Sequence, residues 1–383
     1  MTAGESGRRR VLVISAAMGA GHDGVAAELA RRLAAEGADV EIIDVLRLFP
    51  LRLGSVLRSG YHGMIRCAPW LYELIYQVFF IAKRAPGTSP FTALAMAGLR
   101  ELAASRPPDE VVSTFHVAAQ VAGELRARGG LPCPSTVLVT DFAVHRLWLH
   151  PGNDRYLCPN PAVIGDIAAA TGRPALHCAP VVRPEFARRA ADADAAEVRR
   201  RIGAAGGERL VLVTGGAWGV GRVVGTARAL ARSGRYTPVV LCGGNERLRR
   251  RLRGAGYGIA LGWRDDVPEL MAAAYALVDN GAGLACEEAF AAGLPVVVHR
   301  PIAGHGRDGA GAMARLGVAA HTRDDAALLR VLDTLGSGGA DGRRDGTAAV
   351  AAALFTGSPA QAGLVSAPPR PPEPESAATG RAR

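Results

Sequence analysis

The stretch from Asp279 to Pro295 reads Asp-Asn-Gly-Ala-Gly-Leu-Ala-Cys-Glu-Glu-Ala-Phe-Ala-Ala-Gly-Leu-Pro. It predicts a strand before it, a turn of small residues, a helix with two carboxylates, and an exit into the next strand. Such a turn lets an anion approach the open N–H groups of the helix, where the dipole also favours negative charge. Glu288, one turn further on, can accept hydrogen bonds from a diol such as ribose. The first hypothesis is therefore a nucleotide-bound donor; the alternative is a tight turn with a solvated glutamate pair.

The order strand, glycine-rich loop, helix opens each half of the chain. The apolar strand Val11–Ser15 leads into one such loop, and Leu210–Val213 leads into Thr214–Gly221. Apolar strands that alternate with helices indicate a parallel sheet covered on both faces. We therefore predict an α/β protein of two Rossmann-like, doubly wound domains that face each other across a cleft. Further strands are predicted at Val40–Val45, Glu110–Ser113, Thr136–Thr140, Pro238–Cys242, Ala276–Val278 and Val296–Val298.

Composition marks the predicted domain boundaries. The proline-flanked segment 180–184 indicates the linker, so we assign residues 1–180 to the first domain and 181–345 to the second. The remaining residues, 346–383, are rich in Pro, Ala and Gly. This composition predicts a disordered tail, with one last helix at Ala348–Phe355 as the alternative.

The overall composition limits the compartments that we expect. The 383 residues are 49% apolar and contain no uncharged apolar run of the length that crosses a bilayer. The segment Met1–Arg10 lacks the apolar core of a signal peptide, so we expect the protein to stay inside the cell. Six scattered cysteines without a Cys-x-x-Cys pair argue against a disulfide framework or a metal ribbon and fit a reducing cytoplasm.

The charge balance suggests an anionic partner. The formal net charge is +10, and Lys83 is the single lysine, so arginine supplies nearly all of the positive charge. The densest basic run, Arg247–Arg253, lacks the interleaved aromatic residues of nucleic-acid binding. We rank an anionic membrane surface above nucleic acid, which we do not expect as a partner. A solvated helix face ranks above both for this run.

Several short segments occur in an order that carries a family resemblance. Together with Gly281–Pro295 they resemble the monogalactosyldiacylglycerol synthase and diacylglycerol glucosyltransferase family. The resemblance implies a GT-B fold and metal-independent, inverting transfer of a hexose from a UDP-sugar to a lipid hydroxyl such as diacylglycerol. It also implies a cytoplasmic, peripheral protein at the inner face of the cell membrane. The segments are Ser15–His22, Val139–Phe142, Val181–Phe186, Gly215–Gly219, Cys242–Asn245 and Pro301–Gly306.

The resemblance also implies roles for single residues. His22 is the implied catalytic base, because inverting transfer needs a group that takes the acceptor proton and histidine titrates near neutral pH; the alternative is a histidine that only hydrogen-bonds its loop. The implied acceptor-binding residues are Gly21, His116, Asp141 and Trp148, although Asp141 as a turn cap stays open. The implied donor-binding residues are Gly215, Gly216, Gly219, Gly243, Asn245, Trp263, Gly283, Leu284, Glu288, Gly304 and His305, with Trp263 as a core residue left as an alternative.

Aromatic residues gather in the segment Arg58–Ala85 of a chain with only 5% aromatics. Together with its basic end, this segment is typical of a membrane interface, and we predict that Trp70, Phe79 and Phe80 contact the membrane. The alternative is a buried helix pair that packs on the first sheet.

Some positions depart from the family pattern: Trp218, Ala285, His305 and Gly309–Ala312. They leave the identity of the sugar open. Three alternatives also stay open, namely a soluble acceptor, a nucleotide-sugar epimerase and a non-catalytic homologue.

Overall fold

The computed structural model describes residues 8–81, 90–187, 192–204 and 207–336. Each half contains a six-stranded sheet in which every pairing is parallel. The strands of the first sheet are β1 Arg10–Ser15, β2 Asp39–Asp44, β3 Glu110–Ser113, β4 Ser135–Leu138, β5 Arg155–Cys158 and β6 Ala175–His177. Those of the second are β7 Leu210–Thr214, β8 Thr237–Leu241, β9 Ile259–Leu261, β10 Ala276–Asp279, β11 Val296–His299 and β12 Ala320–Thr322.

The strand order is β2-β1-β3-β4-β5-β6 in the first sheet and β12-β11-β10-β7-β8-β9 in the second. Each order reverses beside the strand that opens its half, β1 or β7, and open parallel sheets bind ligands at such points. The predicted α/β architecture of two doubly wound sheets is therefore confirmed. The predicted tail, 346–383, lies outside the described residues.

Thirteen α-helices in the described residues connect these strands. In the first half they are α1 Ala20–Ala35, α2 Leu53–Cys67, α3 Pro69–Ile75, α4 Pro90–Ser105, α5 His116–Ala127 and α6 Ile164–Thr171. Later in the chain they are α7 Asp192–Arg201, α8 Val223–Arg232, α9 Glu246–Ala255, α10 Val267–Ala272, α11 Leu284–Ala291, α12 His305–Arg315 and α13 Asp325–Gly336.

Side chains of the buried strands point alternately to the two faces of each sheet, so the core forms one layer on each face. In β1, Leu12 and Ile14 join one cluster and Val11 and Val13 join the other. In β7, Leu210 and Leu212 join one cluster, and the two valines between and after them join the other. Successive side chains of a strand point to opposite faces, so a strand that is apolar throughout can have helices on both sides.

The two halves touch where α1 meets α11. A Cβ added at Gly24 would lie 2.9 Å from Cδ2 of Leu284, and one at Gly21 would lie 3.5 Å from its Cβ. Leu284 also packs against the core cluster of the first sheet. The glycines thus allow a close approach of two helix starts, which brings the glycine-rich loop of the first half beside the turn after β10.

The aromatic segment forms α2, α3 and a π-helical turn, Tyr76–Ile81. Tyr72 and Tyr76 are buried, whereas Trp70 is 69% and Phe79 is 48% exposed. The alternative of a fully buried helix pair is therefore wrong for this segment. Its predicted basic end, Lys83 and Arg84, lies outside the described residues. Within the described ranges, no helix is both long and apolar enough to cross a membrane.

Candidate functional site

A cavity of about 1330 Å³ lies between the two halves, at the carboxyl ends of the central strands. Residues of both glycine-rich loops line it, and so do residues of the turn after β10. His22 from the first half and Glu288 from the second line this same cavity. The structure therefore brings the predicted base and the predicted ribose-binding residue into one crevice.

His22 lies in the first turn of α1, which begins at Ala20. Its Nδ1 is 2.9 Å from Oγ1 of Thr140, whose hydroxyl donates to the carbonyl oxygen of Thr114 at 3.4 Å. Because the threonine proton is used in that bond, Nδ1–H donates to Thr140 and Nε2 keeps its lone pair. Burial lowers the pKa of His22, although the carboxylates of Asp141 and Asp23 oppose this shift. The imidazole is therefore neutral at pH 7, in the tautomer of a general base.

Asp141 follows β4 and lines the cavity beside His22. It accepts a hydrogen bond from Nε1 of Trp148 at 2.8 Å, and Nε2 of His145 lies 3.4 Å from the same oxygen. Burial raises the pKa of Asp141. The neighbouring histidines lower it by more, so this pKa lies well below its ordinary range; they are His145, His22 and His305. Asp141 is therefore a fixed negative charge near the base.

Trp148 does not line the cavity, which corrects the prediction that it contacts an acceptor. Its side chain is completely buried and packs with the core of the first half. Its indole N–H is used by Asp141. Trp148 therefore orients a cavity carboxylate instead of meeting a ligand.

His116 and Phe80 form part of the wall on the first-half side. The ring of Phe80 lies 5.3 Å from that of His116 and 4.8 Å from that of His145. Burial, with the nearby His145, lowers the pKa of His116 well below its ordinary value, so the His116 imidazole is uncharged at pH 7. Phe80 thus faces the cavity imidazoles, unlike the outward position that its predicted membrane role implies. Trp70, in contrast, lies outside the cavity lining, whereas the half-exposed Phe79 contributes to it.

Two loops of the second half present backbone to the cavity. Gly215 and Gly216 follow β7, and Gly243 follows β8. Gly243 has φ +56°, and a Cβ there would lie 2.3 Å from the carbonyl oxygen of Ala217, so the two loops pack backbone against backbone. Such exposed backbone can surround a diphosphate without interference from side chains.

Two predicted donor residues of these loops, Gly219 and Asn245, are not part of the lining. Asn245 instead caps α9, because its Oδ1 accepts from the N–H of Leu248 at 3.0 Å. Its Nδ2 donates to the carbonyl oxygen of Trp218 at 3.0 Å. Gly219, with φ +57°, closes the turn after Gly216. Both residues therefore shape the loop and do not reach the cavity.

The turn after β10 differs from the sequence-based expectation. Oδ2 of Asp279 accepts the N–H groups of Gly281 and Ala282, each at 2.7 Å. These two donors are therefore used within the protein, and the predicted open N–H groups begin only at Gly283 and Leu284, which line the cavity. Asp279, which the sequence analysis placed just after the predicted strand Ala276–Val278, is the last residue of β10 and holds this turn.

Glu288 and Glu287 have different surroundings on α11. Glu288 lines the cavity, and burial raises its pKa to about 7, which Arg183 opposes. Glu287 is buried outside the lining, and burial, with Asp141 and Glu288, raises its pKa to about 8. Of the predicted solvated glutamate pair, one member is buried and the other faces the cavity.

The start of α12 meets side chains of the first half. His305 lines the cavity, and its Nδ1 lies 2.8 Å from the hydroxyl of Tyr72. Gly304 is not part of the lining; its N–H donates to Oε2 of Glu73 at 2.9 Å. Sequence reasoning missed Tyr72 and Glu73, because it interpreted their segment as a membrane contact or as a helix pair that packs on the first sheet. The polar Glu73 among apolar residues was the available signal.

Trp263 lies at the mouth of the cavity with 61% of its surface exposed, so the alternative of a core tryptophan is wrong. Gly21 also lines the cavity, next to His22.

Two Rossmann-like halves that face each other across a cavity make up the GT-B fold. Solved structures show the same fold. HepE from Anabaena, in complex with UDP-glucose, superposes with a TM-score of 0.56 at 15% identity, over 90% of this chain and 95% of that one. MurG from Acinetobacter baumannii gives a TM-score of 0.56 at 16% identity, over 91% and 95% of the two chains.

Sequence comparisons confirm the resemblance predicted above. Residues 22–173 match the family model of monogalactosyldiacylglycerol (MGDG) synthase. The processive diacylglycerol beta-glucosyltransferase of Bacillus mycoides (strain KBAB4) is 25% identical over 336 residues, which is 85% of each chain. The chain is thus similar to the glycolipid-forming glycosyltransferases of the GT-B class.

Proposed function

We propose that the protein is an inverting hexosyltransferase that moves a sugar from a UDP-sugar to a lipid hydroxyl such as that of diacylglycerol. The observation that carries this proposal is the shared cavity, with neutral His22 on one wall and the exposed glycine backbone and Glu288 on the other. The names of the relatives support the donor and the acceptor: one neighbour is a complex with UDP-glucose, and the Bacillus enzymes act on diacylglycerol.

The proposed step is a single displacement at C1 of the sugar. The acceptor oxygen forms a bond to C1 while its proton moves to Nε2 of His22 and the bond from C1 to the phosphate oxygen breaks. Attack opposite the leaving UDP inverts the anomeric centre. The imidazolium that forms is stabilised by the nearby carboxylate of Asp141, which also raises the pKa of His22.

We assign the UDP to the second half. In this proposal Gly215, Gly216 and Gly243 surround the diphosphate with backbone, and Glu288 accepts hydrogen bonds from the ribose. Trp263 is positioned at the cavity mouth to flank the uracil. The N–H groups at the start of α11 supply positive potential for the leaving group, so we propose that no metal ion is required.

We place the acceptor in the first half. Exposed apolar side chains gather on one segment, where Leu71, Leu74 and Val78 accompany Trp70 and Phe79. Phe79 and Phe80 continue from this surface into the cavity lining, which gives an acyl chain an apolar route toward His22. An interfacial surface of this kind supports peripheral binding to a membrane. We propose the inner face of the cell membrane as its place.

The activity test uses the full chain with radiolabelled UDP-glucose, UDP-galactose or UDP-N-acetylglucosamine and vesicles that contain diacylglycerol and an anionic lipid. We expect label in the organic phase, product of inverted anomeric configuration by NMR, and equal rates with and without EDTA. Label that stays in water-soluble product indicates a soluble acceptor, and conversion of the UDP-sugar without an acceptor indicates an epimerase. Binding of UDP without any product indicates a non-catalytic homologue.

The membrane test is vesicle flotation of Trp70→Ala and Phe79→Ala. We expect both variants to lose most of their vesicle binding while UDP binding stays unchanged. Leu176→Ala is the matched control, because Leu176 is also an exposed apolar residue, 43% accessible, but lies on β6. Wild-type flotation by both test variants would contradict the proposed membrane surface.

A further inference from the structure

The α2–α3 hairpin belongs to the first half, yet it contacts the second half beside the cavity at two places. The ring of His62 lies 4.5 Å from that of Trp218, in the glycine-rich loop after β7. Tyr72 and Glu73 contact the start of α12, 231 or more positions along the chain. The hairpin therefore spans the cleft from the acceptor half to the donor half.

The contact with α12 consists of specific polar bonds. The hydroxyl of Tyr72 lies 2.8 Å from Nδ1 of His305, and Oε2 of Glu73 accepts the N–H of Gly304 at 2.9 Å. The other oxygen of Glu73 forms an ion pair with Arg307. Since Tyr72 holds Nδ1, Nε2 is the ring nitrogen of His305 that remains for a ligand in the cavity.

The packing around Gly304 leaves no spare room. Its φ is +69°, and a Cβ there would lie 2.8 Å from a ring atom of Tyr72 and 2.9 Å from ring atoms of Tyr76. The backbone at the start of α12 therefore rests directly on two buried tyrosine rings. This close contact fixes where His305 enters the cavity.

Tyr61 connects the two contact points. Its ring lies 5.6 Å from that of Tyr72 and 6.0 Å from that of Trp218. The row Trp218–Tyr61–Tyr72–His305 thus runs from the loop that we assign to the diphosphate to the start of α12. Aromatic pairs at these separations stabilise one another beyond their burial.

We propose that Tyr72 and Glu73 are positioning residues for the sugar end of the donor, supplied from the acceptor half. This inference rests on the proposed function. The uridine and diphosphate are assigned to the loops after β7, β8 and β10, so the hexose extends beyond them toward His305. Affinity for the hexose then depends on Tyr72 and Glu73, whereas affinity for UDP does not.

The test measures binding of UDP and of the three UDP-hexoses to the full chain by calorimetry, without membranes. For the hexose that the wild type binds most tightly, Tyr72→Phe and Glu73→Gln are expected to weaken binding about 5-fold to 10-fold, the range of one lost hydrogen bond. Affinity for UDP is expected to change less than about 2-fold. Arg307→Gln is expected to behave like Glu73→Gln, and Arg315→Gln, at the far end of α12, is the matched control.

A double variant distinguishes loss of the ion pair from a general loss of structure. Glu73→Arg and Arg307→Glu together reverse the ion pair and are expected to recover part of the hexose affinity that either change removes alone. An equal loss for UDP and UDP-hexose, or no loss for either, overturns the inference. If the wild type binds UDP-hexose and the variants bind it as well, only this inference fails. If the wild type binds neither ligand, the proposed function fails.

Discussion

The two glycine-rich loops follow the same plan but end in different chemistry. In the first half, the loop after β1 enters α1 with His22 in its first turn, held by Thr140. In the second half, the loop after β7 presents Gly215 and Gly216, and its one large side chain, Trp218, stacks on the opposite half. The same supersecondary unit thus supplies a titratable group on one side of the cavity and uncharged backbone on the other. In the proposed function, the catalytic step and the binding of the anion are therefore divided between the halves.

The largest expected effect comes from removing the imidazole of the first loop. His22→Ala should lower turnover about 10²-fold to 10⁴-fold, which is the usual contribution of a general base. Affinity for UDP, assigned to the second half, should stay unchanged. Initial rates and calorimetry on the same preparation check both parts. Near-wild-type turnover would remove His22 from the role of base.

The proposed binding of UDP by the second half is tested by changing Glu288, a carboxylate on α11. Glu288→Gln should weaken UDP binding about 10-fold to 100-fold, because hydrogen bonds to charged groups contribute about 1.5–3 kcal/mol. Glu287→Gln is the matched control: burial raises the pKa of Glu287 to about 8, so its side chain is mostly uncharged at pH 7 and resembles glutamine. Equal losses in both variants would contradict the assignment of the ribose to Glu288.

A smaller effect is expected from the residue that orients the base. Thr140→Val removes the acceptor of Nδ1–H, so the imidazole of His22 is free to rotate and to change tautomer. Turnover should fall about 10-fold, the equivalent of one hydrogen bond. Thr140→Ser keeps the hydroxyl and should keep the rate. A serine variant as slow as the valine variant would show that packing, and not the hydrogen bond, matters at this position.

The smallest expected effect is a pH dependence of donor binding. Because burial raises the pKa of Glu288 to about 7, its charged form dominates above pH 7 and is lost as the pH falls below it. Affinity for a UDP-sugar should therefore drop about 5-fold to 9-fold from pH 8 to pH 6, because the charged fraction of Glu288 falls from about nine-tenths to about one-tenth. Both ends of its diphosphate are esterified, so it lacks the ionisation near pH 6 of a phosphate monoester. Glu288→Gln should have a flat profile over this range, and a slope that persists there would point to another group.

The sequence predicted the fold because the central strands are apolar throughout. The strands β1, β7, β10 and β11 were located to within one residue at each end, and β3 without error. The strands β5, β6, β9 and β12 were not predicted. They have three or four residues each, and β6 and β12 are only partly buried at the sheet edges. Such short segments give no periodic signal of their own.

The site was predictable where its residues lie in the loop or helix that follows a central strand. His22, Asp141, Glu288 and the glycines after β7 all reach the cavity. What the sequence did not reveal depends on contacts between distant segments. The bonds of Tyr72 and Glu73 to α12 span 231 to 234 positions, and the burial of Trp148 depends on the packing of its whole half. A local pattern contains no information about such partners.

The contact between Gly24 and Leu284 has a consequence for the width of the crevice. A Cβ at position 24 would lie 2.9 Å from Cδ2 of Leu284, which leaves space for the hydrogen atom of glycine but not for a methyl group. Gly24→Ala would therefore require the end of the Leu284 side chain to move aside. The close approach of the two lobes at this point thus depends on a residue without a side chain, in the lining of the cavity that also contains His22.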